Sequence, residues 1–386
     1  MRINLLGSFE LQDERGRTLP PPGPKRRALL AALALEFGRV VPVERLLDLL
    51  WDGAPSSTAR SALRGHVTAV RRLLAAAADG IPVGGPVAED PDGLHVVTRG
   101  AGYALLGDPE AVDVQRFERL RAAGEETGAE TADRLRRALD LWRGPALDGC
   151  GSGRLAAEAG PRLTAARRDT VERLAALLLA EADGSGGVEG SVEGSAGGFV
   201  DRLGEVTADL AELAAAEPAR ESAAALLVRC RTVLAGLLAA AGRGYDAIAV
   251  LELVVAAHEA RGDAPLTARA LDDLAHCLYQ VGEAERGLAV TERALDLIHA
   301  HPDDPLQGDL RFGRAEALRV LGRVEEALAA LTEVLAVAEE QGNARLVLLA
   351  LDFHGAVLAE LGRPEEAADS RRRALDLREA VNSGAA

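Results

Sequence analysis

The chain has 386 residues, of which 48% are hydrophobic, and a formal net charge of −16 at pH 7; this length allows two or three domains. Its three cysteines lie far apart in the sequence, which excludes a disulfide framework and a zinc-binding motif. The sequence predicts neither a membrane span nor a secretion signal, so we expect a cytoplasmic protein that is not attached to a membrane.

The first forty residues predict a small sheet followed by a helix. The apolar run from Ile3 to Phe9, the polar turn at 13–16 and the pair Thr18–Leu19 predict an N-terminal antiparallel sheet. A helix is expected over Lys25–Phe37, because its apolar residues recur at helical spacing, and Gly38 ends it.

Two further helices are predicted. The second covers Val43–Leu50 and stops at the Asp-Gly-Ala-Pro break of residues 52–55. The third covers Ser57–Ala78, and its apolar residues at positions i, i+4, i+7 and i+11 form one stripe that faces the first two helices. This core stripe consists of Leu63, Val67, Val70 and Leu74.

The outer face of the third helix is predicted to be basic. No acidic residue lies between Asp52 and Asp79, so nothing nearby cancels the positive charge, and DNA phosphates would supply the counter-charge. The residues on this outer face are Arg60, Arg64, Thr68, Arg71 and Arg72. Gly65, in the middle of the helix, costs roughly 1 kcal/mol relative to alanine. Its presence therefore needs a reason, such as the close approach of another backbone.

A hairpin is predicted after the third helix. Its strands are expected over Leu94–Val97 and Tyr103–Leu106, with a basic, glycine-rich tip at 99–102. A sheet, three helices and such a hairpin, in this order, are typical of a winged-helix DNA-binding domain, whereas a basic helix face alone is usually solvated surface. The predicted fold is mainly α: an N-terminal winged helix of mixed α and β structure, followed by all-α helical-repeat domains.

Four stretches of this region resemble a known family. They are GPKRRALLAAL, VPVERLLDLLW, TARSALRGHVTAVRRLL and VVTRGAGYAL. Over Met1–Leu106 the chain resembles the OmpR-type winged-helix domain at the head of the Streptomyces antibiotic regulatory proteins, the SARP family. The resemblance continues through VDVQRFERLRAAG, ALDLWRGPAL and the run Arg162–Ala182, which are similar to the family's bacterial transcriptional activation domain.

The resemblance implies a transcriptional activator. Members of the family switch on antibiotic and other secondary-metabolite gene clusters by binding direct repeats of double-stranded DNA near promoters and recruiting RNA polymerase holoenzyme. Direct repeats would suit head-to-tail protomers, which implies a homodimer on DNA. A protein of this kind would be associated with the nucleoid.

The resemblance also implies which residues bind DNA and polymerase. The residues that would meet bases or phosphates are Arg60, Arg64, His66, Thr68, Arg71, Arg72 and Arg99. Arg64 and Thr68 are the expected base readers, Arg99 is expected in or beside the minor groove, and His66 could equally pack at the helix edge. The turn before the third helix lies away from DNA in such domains. Its candidates for contact with polymerase are Asp52, Gly53, Ser56 and Ser57.

Beyond residue 107 the chain is predicted to be almost wholly helical and repetitive. Four glycines lie 40 residues apart, each four residues after a leucine: Gly242, Gly282, Gly322 and Gly362. This pattern resembles tetratricopeptide repeats, whose stacked helix pairs form a concave groove. The groove could hold a peptide, a partner protein or a small ligand, and a purely structural or dimerising array is an equal alternative.

Three domains are expected: a winged helix at 1–107, an activation domain at 108–262 and repeats at 263–386. A flexible loop is expected over Asp183–Gly198, which is rich in Gly and Ser. The segment Met1–Gly107 has 13 basic and 11 acidic residues, a net charge of +2, which leaves −18 for the rest of the chain. Only the N-terminal domain therefore suits DNA.

No enzyme is expected. The phosphate-binding pattern GxxxxGK[ST] is absent, no group of nucleophile, base and orienting residue is visible, and no cofactor is implied. A metal cluster could be drawn from His299, His301, Asp303 and Asp304. These residues lie beside Pro302 and Pro305 at a junction between repeats, however, and therefore predict a polar turn instead.

Two alternatives stay open. A helical-repeat interaction or sensor protein could use its winged helix to dock another protein, and the arginines of the third helix would then be ordinary surface. A DNA-binding repressor would show the same residues as an activator.

Overall fold

The computed structural model describes residues 1–13, 15–79, 93–122, 128–184, 196–217, 221–301 and 304–382. The chain divides into two compact units, Met1–Glu181 and Ala182–Ala386. Most of the expected flexible loop, as well as residues 80–92 before the hairpin, lies outside the described residues. The three domain bounds expected from the sequence stay predictions.

The first unit begins with a sheet of three short antiparallel strands. In spatial order they are β1 (Arg2–Asn4), β2 (Glu10–Gln12) and β3 (Thr18–Leu19). The predicted sheet is confirmed, but the run from Ile3 to Phe9 is not one strand. The chain leaves the sheet after Asn4 because the backbone N–H groups of Leu5 and Leu6 donate to the buried carboxylate of Asp113, at 2.7 and 2.8 Å.

Three helices follow the sheet, as predicted. They are α1 (Pro24–Leu35), α2 (Val43–Leu50) and α3 (Ala59–Asp79). Proline is tolerated at the start of α1 because the first backbone N–H of a helix has no partner within the helix. The core stripe of α3 is buried, each of its four side chains being at most 2% exposed.

A second sheet contains the predicted hairpin and one strand that was not predicted. Its strands are β4 (Val41–Pro42), β5 (His95–Arg99) and β6 (Gly102–Leu106), in the order β4-β6-β5. We call the β5–β6 hairpin the wing; its two strands are joined by Gly100 and Ala101. A Cβ atom on Gly102 would lie 2.3 Å from the carbonyl oxygen of Val41, so glycine is what lets β4 pair with β6.

The rest of the first unit is helical and shares one core with the winged helix. Its helices are α4 (Asp113–Ala122), α5 (Ala129–Leu139) and α6 (Gly153–Gly184). Phe117, Leu147 and Leu155 belong to the same buried cluster as the core stripe of α3. The winged helix is therefore continued by these helices rather than followed by a separate core.

The second unit consists of helices that pack on one another in chain order. They are α7 (Ala196–Ala216), α8 (Glu221–Ala240), α9 (Gly244–Arg261), α10 (Ala264–Gln280), α11 (Ala284–Ile298), α12 (Leu306–Val320), α13 (Val324–Glu340), α14 (Ala344–Glu360) and α15 (Pro364–Asn382). From α8 onward they form four hairpins, which confirms the predicted repeat architecture.

The 40-residue glycine spacing marks the turn inside each of these hairpins. The four glycines have φ between 70° and 85°, a conformation that costs glycine least. The residue after each glycine donates its backbone N–H to the carbonyl of the leucine four residues before that glycine, as Arg243 does to Leu238 at 2.8 Å. This bond satisfies a carbonyl that the end of a helix would leave unpaired.

Helix α8 departs from one expectation. It contains an 18-residue window of mean hydropathy 1.7, and among the described residues it is the one helix long and apolar enough to cross a membrane. The expectation that the chain has no such run is therefore wrong. The helix nevertheless packs on both α7 and α9. It also carries Arg229 and Arg231 near its middle, and burial lowers the pKa of the Arg231 guanidinium.

The three cysteines and the polar turn after α11 are the places where the sequence could have suggested disulfide or metal chemistry. The three cysteines are free and buried. At the polar turn after α11, the Asp304 side chain accepts a hydrogen bond from the Leu306 N–H at 2.9 Å at the start of α12. Asp303 lies outside the described residues, and no group of three or more potential metal ligands occurs in the part of the chain that the structure describes.

Candidate nucleic-acid interface

The side of α3 opposite the core stripe is exposed. The position two residues before each member of the core stripe lies about 200° around the helix from it, and so on the opposite side. The residues at these positions are Ser61, Gly65, Thr68 and Arg72, and all four are exposed. We call these four residues the recognition face; they mark the middle of the helix surface that points away from the protein.

Two arginines are available on or beside the recognition face. Arg72 lies on it and Arg64 lies on its shoulder, and both are exposed. Neither guanidinium has an ion pair with another described residue. The Thr68 hydroxyl donates to the Arg64 carbonyl at 3.0 Å, which leaves its methyl group and its oxygen lone pairs for a partner. A helix surface with free guanidinium groups and no carboxylate can accept an anion such as DNA.

Arg60 and His66 lie further from this surface and have partners within the protein. The Arg60 guanidinium is paired with the Glu44 carboxylate on α2. The His66 ring lies beside the Trp51 ring, with 6.2 Å between the ring centroids. Burial, followed by the positive charges of Arg26 and Lys25, lowers the pKa of His66. His66 is therefore half-buried and packed at the helix edge, the position that the sequence analysis gave as the alternative to contact with DNA.

Arg71 connects α3 to the wing. Its Nε donates to the Val96 carbonyl and its Nη2 donates to the Thr98 hydroxyl, each at 2.8 Å. These two bonds fix strand β5 against α3, and the same strand ends at the exposed Arg99. Sequence reasoning assigned Arg71 to DNA phosphates and missed this link, because the partners lie about 25 residues further along the chain and no periodic pattern connects them.

The turn between α2 and α3 is partly occupied by the chain itself. Asp52 accepts hydrogen bonds from the Arg154 N–H at 3.0 Å and from the Ser152 hydroxyl at 3.3 Å. The hydrogen bond from the Arg154 N–H is the main reason why the pKa of Asp52 is lowered. A Cβ atom on Gly53 would lie 2.7 Å from the Arg154 guanidinium. Two of the four polymerase-contact candidates thus join the turn to the start of α6.

The other two candidates, Ser56 and Ser57, are exposed. The Ser56 hydroxyl is hydrogen-bonded to the Thr58 hydroxyl at 3.1 Å, just before α3 begins. Asp52 and Gly53 are exposed as well, so the whole turn could be reached by an approaching protein, and the two serines are the candidates that have no contact with the start of α6.

The second unit contains an acidic cavity. It has a volume of about 600 Å³ and is lined mainly by the first helices of the four hairpins, α8, α10, α12 and α14. Four carboxylates line it: Asp272, Asp273, Asp309 and Glu316. None of the four has a hydrogen bond or ion pair with another described residue. Burial, followed by the charges of Asp273 and Asp309, raises the pKa of Asp272 to about 6.

Comparisons with protein families match three segments of the chain. Residues 21–82 match the family described as Transcriptional regulatory protein, C terminal, and residues 112–190 match Bacterial transcriptional activator domain. Residues 309–380 match Tetratricopeptide repeat. The first two matches confirm the resemblance drawn from the sequence motifs, and the third confirms the tetratricopeptide resemblance.

Curated relatives match somewhat more than a third of the chain. Regulatory protein DnrI of Streptomyces peucetius is 38% identical over 152 residues, which are 38% of this chain and 53% of DnrI. Regulatory protein AfsR of Streptomyces coelicolor is 36% identical over 155 residues, 39% of this chain and 14% of AfsR. The matched part of the chain thus spans about half the length of DnrI and a much smaller share of AfsR.

Among solved structures, Mycobacterium tuberculosis EmbR in complex with a low affinity phosphopeptide is similar at 23% sequence identity. The similarity covers 75% of this chain and 70% of that one, with a TM-score of 0.46.

Proposed function

We propose that the protein is a sequence-specific DNA-binding activator of a secondary-metabolite gene cluster, which agrees with the family matches to transcriptional regulators at residues 21–82 and 112–190. The observation that carries this proposal is the exposed recognition face of α3, beside a wing that Arg71 holds in place. Arg72 on this face and Arg64 on its shoulder have no ion pair with another described residue, and the face itself carries no carboxylate. DNA phosphates would neutralise this surface and release counterions.

The recognition helix would lie in the major groove. Thr68 and Arg72 would face the base edges from the middle of the helix surface, and Arg64 would reach a base from its shoulder, since arginine pairs well with guanine in this groove. Arg99 at the end of β5 would reach the adjacent minor groove or its phosphates. Arg60 and Arg71 would support this placement through Glu44 and the wing, and would contact phosphates with their remaining N–H groups.

Recruitment of RNA polymerase would use the turn before α3. Ser56 and Ser57 offer an exposed surface, while Asp52 and Gly53 tie that turn to α6. A polymerase contact on this turn would therefore be supported by the helical part of the same compact unit. Direct repeats would place two protomers head to tail on the DNA.

A second role is proposed for the repeat array. Its acidic cavity favours a cationic ligand, either a basic peptide or a small amine. Four carboxylates line it, against two basic side chains, His276 and Arg345, so a positive charge would be stabilised there. Thermal unfolding of the full chain in the presence of spermidine tests this role. Stabilisation by spermidine that Asp272→Asn abolishes would support this role. An unchanged unfolding temperature of the wild type would exclude small amines as ligands of the cavity.

The proposed activity is tested in two steps: selection of the DNA sequences that the protein binds, and a transcription assay with the selected site. The full chain is used to enrich duplexes from a random-sequence library, and the enriched site is placed upstream of a weak promoter in a purified transcription assay with RNA polymerase holoenzyme. We expect a recurring direct repeat and an increase in transcript. A decrease in transcript would favour the repressor, and the absence of any enriched sequence would favour the protein-docking alternative.

A further inference from the structure

Gly65 lies in the middle of α3, where a glycine is unfavourable. A glycine inside a helix loses more backbone freedom on folding than any other residue, and alanine is the residue that stabilises a helix most. The same helix uses alanine at other positions, among them Ala62 and Ala69. If the helix needed only a small side chain at position 65, alanine would supply it.

Nothing in the described part of the protein requires this glycine. A Cβ atom on Gly65 would meet no atom of the described residues within 4 Å, and the residue has no positive φ. Other glycines of the chain do have an internal reason: a Cβ atom on Gly287 would lie 2.3 Å from the Tyr279 ring, and Gly242 has a φ of 74°. Gly65 satisfies neither condition. The same is true of other helical glycines, such as Gly204 and Gly236, so what distinguishes Gly65 is its position on the recognition face.

The position of Gly65 on the helix suggests where the reason lies. It is part of the recognition face, between Ser61 and Thr68, and it follows Arg64 directly in the chain. On a helix that lies in a groove, the middle of the face is the part closest to the floor of that groove. A residue without a Cβ atom there lets the backbone itself come close to a partner.

We infer that Gly65 is the point of closest approach between the α3 backbone and the DNA, and that it sets how deeply the helix enters the major groove. This inference rests on the proposed function. The missing side chain lets Arg64 and Arg72 reach base edges, because it brings the helix axis nearer to them. Any side chain at position 65 would push the helix outward and weaken these contacts together.

The test compares Gly65→Ala and Gly65→Leu with Gly236→Ala in the full-length protein. Gly236 is a matched control, because it is an exposed glycine inside helix α8 and a Cβ atom there also meets nothing within 4 Å. Affinity is measured for the duplex that the wild type enriches, and the unfolding temperature is measured for each variant.

We expect both alanine substitutions to raise the unfolding temperature, because alanine is the better helix former. Gly65→Ala is expected to weaken DNA binding by about tenfold, comparable to the loss of one good base contact, and Gly65→Leu by about a hundredfold or more. Gly236→Ala should bind as the wild type does. Wild-type affinity in Gly65→Ala would overturn the inference and leave the proposed function intact, whereas failure of the wild type to enrich any sequence would overturn the proposed function itself.

Discussion

Several arginines of the repeat array are paired with carboxylates on other helices, whereas two arginines of α3 are not. Arg286 pairs with Glu252 and Arg373 pairs with Glu339. On α3, Arg64 and Arg72 have no such partner among the described residues. Exposed arginines without an ion pair to another described residue, such as Arg345 and Arg371, also occur in the array. What distinguishes α3 is that Arg64 and Arg72 lie on or beside one outward helix surface that carries no carboxylate.

The largest loss of DNA affinity is expected when a carboxylate is placed on the recognition face. Thr68→Glu would put a negative charge beside Arg64 and Arg72, and the repulsion of phosphates is expected to weaken DNA binding by about a hundredfold or more. Thr332→Glu is the matched control, because the exposed Thr332 also donates its hydroxyl to the carbonyl four residues earlier. Equal losses in the two variants, measured by titration of the enriched duplex, would contradict the account.

Removing single arginines tests whether unpaired arginines of α3 and paired arginines of the array differ in their effect on DNA binding. Arg64→Ala is expected to weaken binding by roughly tenfold or more and to relax specificity at one base pair, as the loss of a guanine contact would. Each phosphate contact that is lost should reduce the slope of log K against log salt concentration by about 0.9. Arg293→Ala removes an arginine that is paired with Glu259 in the array, and it should leave both affinity and slope unchanged.

A third substitution tests whether Arg71 positions the wing. Arg71→Ala removes two hydrogen bonds to β5, each contributing about 1 kcal/mol, and should loosen the hairpin. Amide hydrogen exchange in β5 and β6 should become faster, and binding to all sequences should weaken together. If exchange stayed at the wild-type rate while binding weakened, Arg71 would act on phosphates alone.

The smallest effect is expected in the acidic cavity. The pKa of Asp272 is raised to about 6 in the folded protein, above the usual value for aspartate, so the folded state holds its proton more tightly than the unfolded state does. Stability should therefore fall as the pH rises from about 4 to about 6 and stay lower above that range. Asp272→Asn should remove this part of the pH dependence and stabilise the second unit above pH 6, because the asparagine side chain carries no charge to desolvate. An unchanged pH profile in chemical unfolding would contradict the raised pKa.

Local patterns predicted much of the fold. The bounds of α2 agree with the prediction, and the core stripe of α3 followed from the helical period of its apolar residues. The hairpin turns of the repeat array followed from glycine spacing, because a left-handed residue is required once per turn. Such signals depend on a few neighbouring residues and can be found in a single sequence.

Contacts between distant segments could not be predicted in this way. Strand β4 has two residues and exists because it pairs with β6, some sixty residues later. The links from Arg71 to the wing and from Asp52 to Arg154 join residues that share no period. The sequence therefore indicated which helix carries the candidate site, whereas the division of its arginines between free and paired groups depends on tertiary structure.

The most direct test of the central claim is the salt dependence of binding between the full chain and the duplex that it enriches, for the wild type, Arg72→Ala and Arg293→Ala. The account predicts specific binding that weakens with salt, with lower affinity and a shallower slope for Arg72→Ala and with wild-type behaviour for Arg293→Ala. Equal binding to random DNA by the wild type, or an equal loss in both variants, would contradict the claim that the free arginines of α3 form the DNA-binding surface.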